Sequence, residues 1–408
     1  MTNGIEADDA ADDLPQDFGA RLRALRLARG IGLGQFAHLL HYSKGHVSRI
    51  ENGIRAPTVQ FARQCDAELE AEGILAALVP LPTPGREPLL NALSLLPTQR
   101  FTKTGYDSAA VEKQLEQHLE IFGAVRELGQ IAPPSTILPM VTAQAQALRA
   151  LLSGSGDKPP IAVATLAARV AEYAGWMAQE SGDDRKAVWW TDCAVEVASA
   201  AGDGHVASYA LLRRGLIALY RGDAADTVAL AREAQSRIGT PRRILGLAAQ
   251  REAQGHALAG DHDACMRALE RAREFLARAS DDQPPGPVIG TTHVLDPVGV
   301  VTGWCLYDLG RPRASSEIFA REIPRILPGA IRLRTRFGAR QALACAAAGE
   351  LEQACSLTRA VVADAICIDS ATIRSDIGRL ARTLRRWHSH PAVRALEPAL
   401  CLALHPAR

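Results

Sequence analysis

The chain has 408 residues, 47% of them hydrophobic but only 5% aromatic, and its 46 Lys and Arg balance 45 Asp and Glu. That length exceeds one ordinary domain, so several units or one long repeat array are expected, and alanine and leucine in place of β-branched runs favour helix over sheet. No window approaches the about 18 apolar residues that span a bilayer, the N-terminus is acidic where a signal peptide is basic, and the eight cysteines form no CxxC pair; the expectation is a cytoplasmic chain with reduced thiols, not a membrane-spanning or disulfide-framed one.

In chain order, residues 1–14 hold Glu6, Asp8, Asp9, Asp12 and Asp13 with little to bury, and read as a disordered acidic tail. Residues 15–79 read as a short helical domain. Its charge is lopsided: residues 18–64 carry eight bases against Glu51 alone, a footprint suited to phosphates. Apolar spacing predicts helices over Phe18 to Arg29 (Leu22, Leu25), Gly34 to Leu40 (Phe36, Ala37, Leu40) and Ser43 to Asn52 (Val47, Ile50). Ser43 is placed to cap the third helix, Val47 and Ile50 pin one face to the core, and Lys44, Gly45, His46, Ser48 and Arg49 turn outward. Gly53 ends the helix.

The segments Gly34-Gln-Phe-Ala-His-Leu-Leu40, Tyr42-Ser43 and Val47-Ser-Arg-Ile-Glu-Asn-Gly53, followed by Pro57, resemble the helix-turn-helix of lambda-repressor and Cro-type (XRE family) regulators, in the form common among actinobacteria. The resemblance implies that the third helix enters the major groove of double-stranded DNA. Lys44 and His46 would then donate to guanine edges, Ser48 would give and take a hydrogen bond, and Gly45 would admit close approach. Gln35 matches the position that binds phosphate and braces the reading helix, and Arg49 and Arg55 would hold backbone phosphates. The family more often has a larger polar residue where Gly45 stands. Against this stands the plain reading of a basic face as merely solvated, with Glu51 a structural partner and not a base reader.

Pro80, Pro82, Pro84, Gly85 and Pro88 make 80–106 a linker. A helical connector over 107–160 follows, with helices near Asp107 to Leu128 and Ile137 to Leu152 and a breaker at 153–160. From 161 to 408 the chain repeats. A glycine followed by a polar residue recurs at Gly182, Gly222, Gly260, Gly310 and Gly349, spaced by 40, 38, 50 and 39 residues. Seven residues before each glycine stands Gly175, Gly215, Ala253, Gly303 or Ala342; five after it stands Ala187, Thr227, Cys265, Ser315 or Ala354. Small residues at both offsets let two helices of a hairpin approach, and the glycine supplies a left-handed turn. These offsets resemble the tetratricopeptide repeat, although the period is longer and the large consensus aromatic is mostly missing. A loop from Asp281 to Leu295 accounts for the spacing of 50, and a sixth pair from Ile373 to Leu404 would cap the array. The expected fold is all-α: an N-terminal helix-turn-helix domain plus a tetratricopeptide-like α-solenoid.

A long solenoid offers its inner groove to a ligand. By resemblance, the groove-facing offsets give Arg169, Glu172, Trp176 and Gln179, then Tyr209, Leu212 and Leu216, then Gln250 and Gln254, then Trp304 and Tyr307, and last Arg336. Amides, guanidinium groups and indole walls in that arrangement suit a peptide or small-molecule effector, although aromatics on repeat helices often only pack. The whole architecture resembles Gram-positive regulators that answer to peptide pheromones, which implies a homodimer, a palindromic operator and a transcription regulator switched by a groove ligand. The alternative is an adaptor whose repeats hold a protein partner while the N-terminal domain mainly dimerises; remoter is an antagonist of signalling proteins. No Walker A, dinucleotide, GxSxG or HExxH signature occurs, and His38, His41 and His46 lack a completing ligand set, so neither enzyme activity, nor a cofactor, nor a metal, nor a membrane partner is expected.

Overall fold

The computed structural model describes residues 17–40, 42, 44–53, 57, 59–69, 71, 74–79, 108–154, 161–282 and 286–405. The acidic tail, the linker and the end of the breaker at 155–160 lie outside the described residues. The chain divides into two compact units, 1–96 and 97–408. Described residues are helical apart from turns, loops and one isolated bridge between Val294 and Ile326. No described helix is long and apolar enough to cross a membrane.

The first unit contains α1 (Phe18–Ala28), α2 (Leu33–Leu39), α3 (Lys44–Glu51), α4 (Val59–Leu69) and α5 (Ile74–Ala77). Asp17 caps α1 by accepting from the Ala20 amide (3.1 Å). The apolar stripes anticipated on the first three helices meet in one core, where Leu22, Phe36, Val47 and Ile50 are buried. The sequence had not separated α4 and α5. They close that core with Phe61, Cys65, Leu69 and Leu75, and Asp66 Oδ1 accepts from the Leu75 amide (2.9 Å) to fix the corner between them.

The second unit begins with α6 (Ser108–Leu128) and α7 (Pro134–Gly154). The expected start of α7 at Ile137 moves back to Pro134, because proline at the first helical position loses only an amide that would be unpaired there. Pro139 lies inside this helix. Six pairs follow: α8 (Ile161–Glu180) with α9 (Asp184–Ala200), α10 (His205–Tyr220) with α11 (Ala224–Ser236), α12 (Arg242–Leu258) with α13 (His262–Ala277), α14 (Pro297–Asp308) with α15 (Pro312–Glu322), α16 (Ile331–Ala348) with α17 (Leu351–Ile368), and α18 (Ala371–Leu384) with the short α19 (Pro391–Arg394) and α20 (Glu397–Leu404).

One turn joins the first five pairs. Gly182, Gly222, Gly260, Gly310 and Gly349 all have left-handed φ, between 72° and 86°. The residue after each glycine donates its amide back five residues, as Asp183 does to Ala178 O (3.0 Å) and Glu350 to Cys345 O (2.9 Å), so the last carbonyls of the first helix are satisfied. In three turns the aspartate after the glycine then caps the second helix: Asp183 to Lys186, Asp223 to Asp226 and Asp261 to Ala264. The two columns of small residues are buried where the helices of each hairpin cross. In the fourth pair they bond directly, Ser315 Oγ donating to Gly303 O (2.7 Å).

The array closes on itself. Arg332 at the start of α16 pairs with Glu180 at the end of α8 (3.2 Å), both side chains 2% exposed, and donates to Gly129 O and Ala132 O in the α6–α7 turn. Glu180 also accepts from Ser370 Oγ and Thr372 Oγ1 at the head of α18. The first hairpin is therefore bonded to the sixth.

Candidate nucleic-acid interface and repeat cavity

In the first unit, α3 is held against α1 by two features. Gly19 on α1 lies so close to the end of α3 that a Cβ there would fall 2.6 Å from the carbonyl oxygens of Ile50 and Glu51. Beside it, Arg26 and Glu51 form a two-point pair (2.6 and 2.9 Å), 7% and 5% exposed, and Arg26 also donates to Ile31 O (2.8 Å). A hydrogen bond to the carboxylate raises the Arg26 pKa. Glu51 is thus a buried partner of α1, directed away from solvent.

With Val47, Ile50 and Glu51 buried, the other side of α3 is outward. Lys44, Gly45 and Arg49 are exposed and Ser48 is half-buried. Arg49 Nε donates to Gly45 O (3.1 Å) and the Asn52 amide nitrogen to Ser48 O (2.8 Å), which ties the exposed side chains to the helix backbone. Gln35 is exposed in the first turn of α2. Ser43, Arg55 and the side chain of His46 lie outside the described residues. A basic, polar helix face turned outward on an apolar base results.

In the second unit the first helices of five hairpins surround one cavity of about 200 Å³. Of the twelve residues singled out in the sequence, Arg169, Glu172, Trp176, Tyr209, Leu212, Leu216, Gln250, Gln254, Trp304 and Arg336 line it. Tyr307 does not; it packs against the apolar cluster of the last two hairpins, because α14 turns that side of its last turn away from the cavity. Gln179 is buried but likewise outside the lining.

Several lining groups were missed. Phe122, Arg126 and Gln130 come from α6 and the turn after it. Val288, Gly290, Thr291, His293 and Val294 come from the loop expected to be a mere insertion. That loop is a strap whose carbonyls are held by arginines: Arg169 donates to Pro287 O (3.2 Å), Arg126 to Gly290 O (3.1 Å), and Arg243 to Ile289 O and Thr291 O (2.9 and 2.6 Å). The protein's own backbone thus forms part of the wall of the groove expected to take a peptide or small-molecule effector. Arg251 was missed because it lies one residue beyond a groove-facing offset. Its stem packs over Gly215, where a Cβ would meet Arg251 Cγ at 3.2 Å.

The cavity wall carries Arg126, Arg169, Arg213, Arg251 and Arg336 against one carboxylate, Glu172. Arg213 pairs with Glu172, and Arg169 with Asp203 (3.1 Å) behind the wall. Burial, with the neighbouring Arg336 charge, pulls the Arg251 pKa down to about 9. The Tyr209 hydroxyl is pushed up by burial.

Residues 17–78 match the family model of the helix-turn-helix domain. Neither a curated protein nor a solved structure matches the chain. The first unit is accordingly a helix-turn-helix domain of the DNA-binding class, carried on a helical solenoid-like second unit.

Proposed function

We propose that the protein is a sequence-specific transcription regulator of the lambda-repressor and Cro type (XRE family) that reads a palindromic operator as a homodimer, and that its tetratricopeptide-like repeats sense an effector. The observation that carries the DNA-binding part is the outward face of α3: Lys44, Gly45, Ser48 and Arg49 stand free of the core because Val47, Ile50 and Glu51 hold the other side. In this reading Lys44 and His46 contact base edges, with Gly45 allowing close approach and Ser48 bonding beside them. Gln35, Arg49 and Arg55 hold phosphates and set the register, and Ser43 caps the helix. Two copies spaced by about 34 Å would meet successive major grooves. The cavity supports the sensing part, since a stretch of chain and five helices converge on a space that DNA binding does not need.

Titrating the full chain on genomic DNA fragments tests the proposal. Affinity is expected to fall steeply with salt. Arg49→Ala should weaken binding to all fragments alike and lower the slope of log K against log salt by about 0.9. Lys44→Ala with His46→Ala should erase discrimination between operator and random fragments. Unchanged binding by both variants would sink the assignment of α3. The cavity assignment has its own readout: the alanine variants Trp176→Ala, Tyr209→Ala and Gln254→Ala should leave non-specific DNA affinity unaltered while changing its response to effector.

A further inference from the structure

We propose that the repeat cavity is a receptor site for a small organic anion, a carboxylate or phosphate attached to an apolar ring or chain, with Arg251 and Arg336 as the anion-binding pair. This rests on the reading of the cavity as a sensing site and names the chemistry it senses.

Charge on the wall is the first argument. Two of the lining arginines have acidic partners, but Arg251 bonds only the side-chain Oε1 of Gln254 (2.7 Å), and Arg336 only the Tyr220 hydroxyl, among the described residues. Nε of each is buried with no hydrogen-bond partner in the protein, as is Nε2 of Gln250, which is 6% exposed. A guanidinium taken out of water without an acid is costly; Arg251 has no acid of its own and feels the repulsion of Arg336, whose charge is offset in part by Glu180 and Asp376. The structure tolerates this pair on the wall of a partly open cavity that also presents Leu216, Val300, Leu333 and Phe337. Unspent donors around an apolar chamber are the complement of a carboxylate or phosphate with a hydrophobic body.

Shape is the second argument. An extended peptide needs an open groove and donors for its carbonyls. The strap already lies there, and Arg126, Arg169 and Arg243 already donate to its carbonyls. What remains behind the strap is about 200 Å³. Trp304 borders it, its ring already covered by Arg340 and Arg336 (3.0 and 5.2 Å to the centroid), so that an apolar ligand body would meet the indole beside the guanidinium that takes its charged end.

The test is calorimetry on the full chain with four probes: indole-3-acetate, phenyl phosphate, the neutral indole-3-acetamide and the cationic tryptamine. The expected result is that at least one anion binds about tenfold or more tightly than the amide, with tryptamine weaker still. Arg251→Gln and Arg336→Gln should each abolish the preference, and Arg251→Lys should retain part of it. The relative strength of the two anions separates a carboxylate from a phosphate ligand. A ligand-free measurement guards against misfolded variants: Arg251→Gln removes an uncompensated charge, so its Tm should equal or exceed that of the parent, whereas a structural arginine would show a fall. Failure of both anions to bind at millimolar concentration, equal binding of amide and acid, or a lowered Tm would each overturn the anion site. Anion binding with no change in DNA affinity would leave the site standing and remove the effector reading instead.

Discussion

Single atoms decide how α3 is presented. At Gly19 a Cβ would strike two backbone carbonyls that cannot rotate away, so Gly19→Ala is expected to cost about 1–3 kcal/mol in the first unit, read by chemical denaturation. Glu51→Ala leaves Arg26 charged and buried, which should cost about 3–5 kcal/mol, whereas replacing both partners by apolar residues of similar volume should restore much of the loss. Both effects should appear as lost structure before any effect on DNA contact, because neither residue faces outward. Glu51 shows what was legible at this scale. The sequence reading made it a structural partner and not a base reader, but nothing in the spacing pointed to Arg26, 25 residues earlier on another helix.

At the scale of elements, the hairpin turn was the most readable feature. In three of the five turns a glycine and an aspartate have separate jobs, one at the end of the first helix and the other at the start of the second, and the glycine with a following polar residue marked all five through a period that varied. Gly222→Ala forces an L-residue into φ 74°, with an expected cost of about 1–2 kcal/mol. Asp223→Ala removes the cap on α11 at a cost of about 1 kcal/mol. Thermal denaturation of the two single variants and the double should show both penalties. The inner-facing offsets were legible for the same reason, since helical spacing carries a residue to the same face in each hairpin. Tyr307 escaped the rule near a helix end. The strap could not be read at all: its residues show no periodicity, and they are held by arginines on α6, α8 and α12, far apart in sequence. α5, four residues long, gives little pattern to detect, whereas the apolar positions Phe61, Cys65 and Leu69 of α4 stand at helical spacing and were legible but not used.

At the scale of the whole second unit, the bond network of Glu180 links the beginning of the array to its end. Burial by itself raises the pKa of this carboxyl, but Arg332, Arg336 and the hydroxyls of Ser370 and Thr372 outweigh burial and hold it below the ordinary glutamate range. A carboxyl whose folded pKa is depressed contributes stability above its unfolded pKa of about 4.3 and loses it as pH falls through the folded value. Urea melts should therefore show the parent weakening in acid more steeply than Glu180→Gln. At neutral pH that variant, which leaves Arg332 without its acid, should be less stable by about 3–5 kcal/mol. Ordinary stacked repeats touch only their neighbours, so units can be added or trimmed at the ends. Here a duplicated or deleted hairpin would carry Ser370 out of reach of Glu180 and shear the chamber, so geometry, and not descent alone, constrains the copy number of the motif.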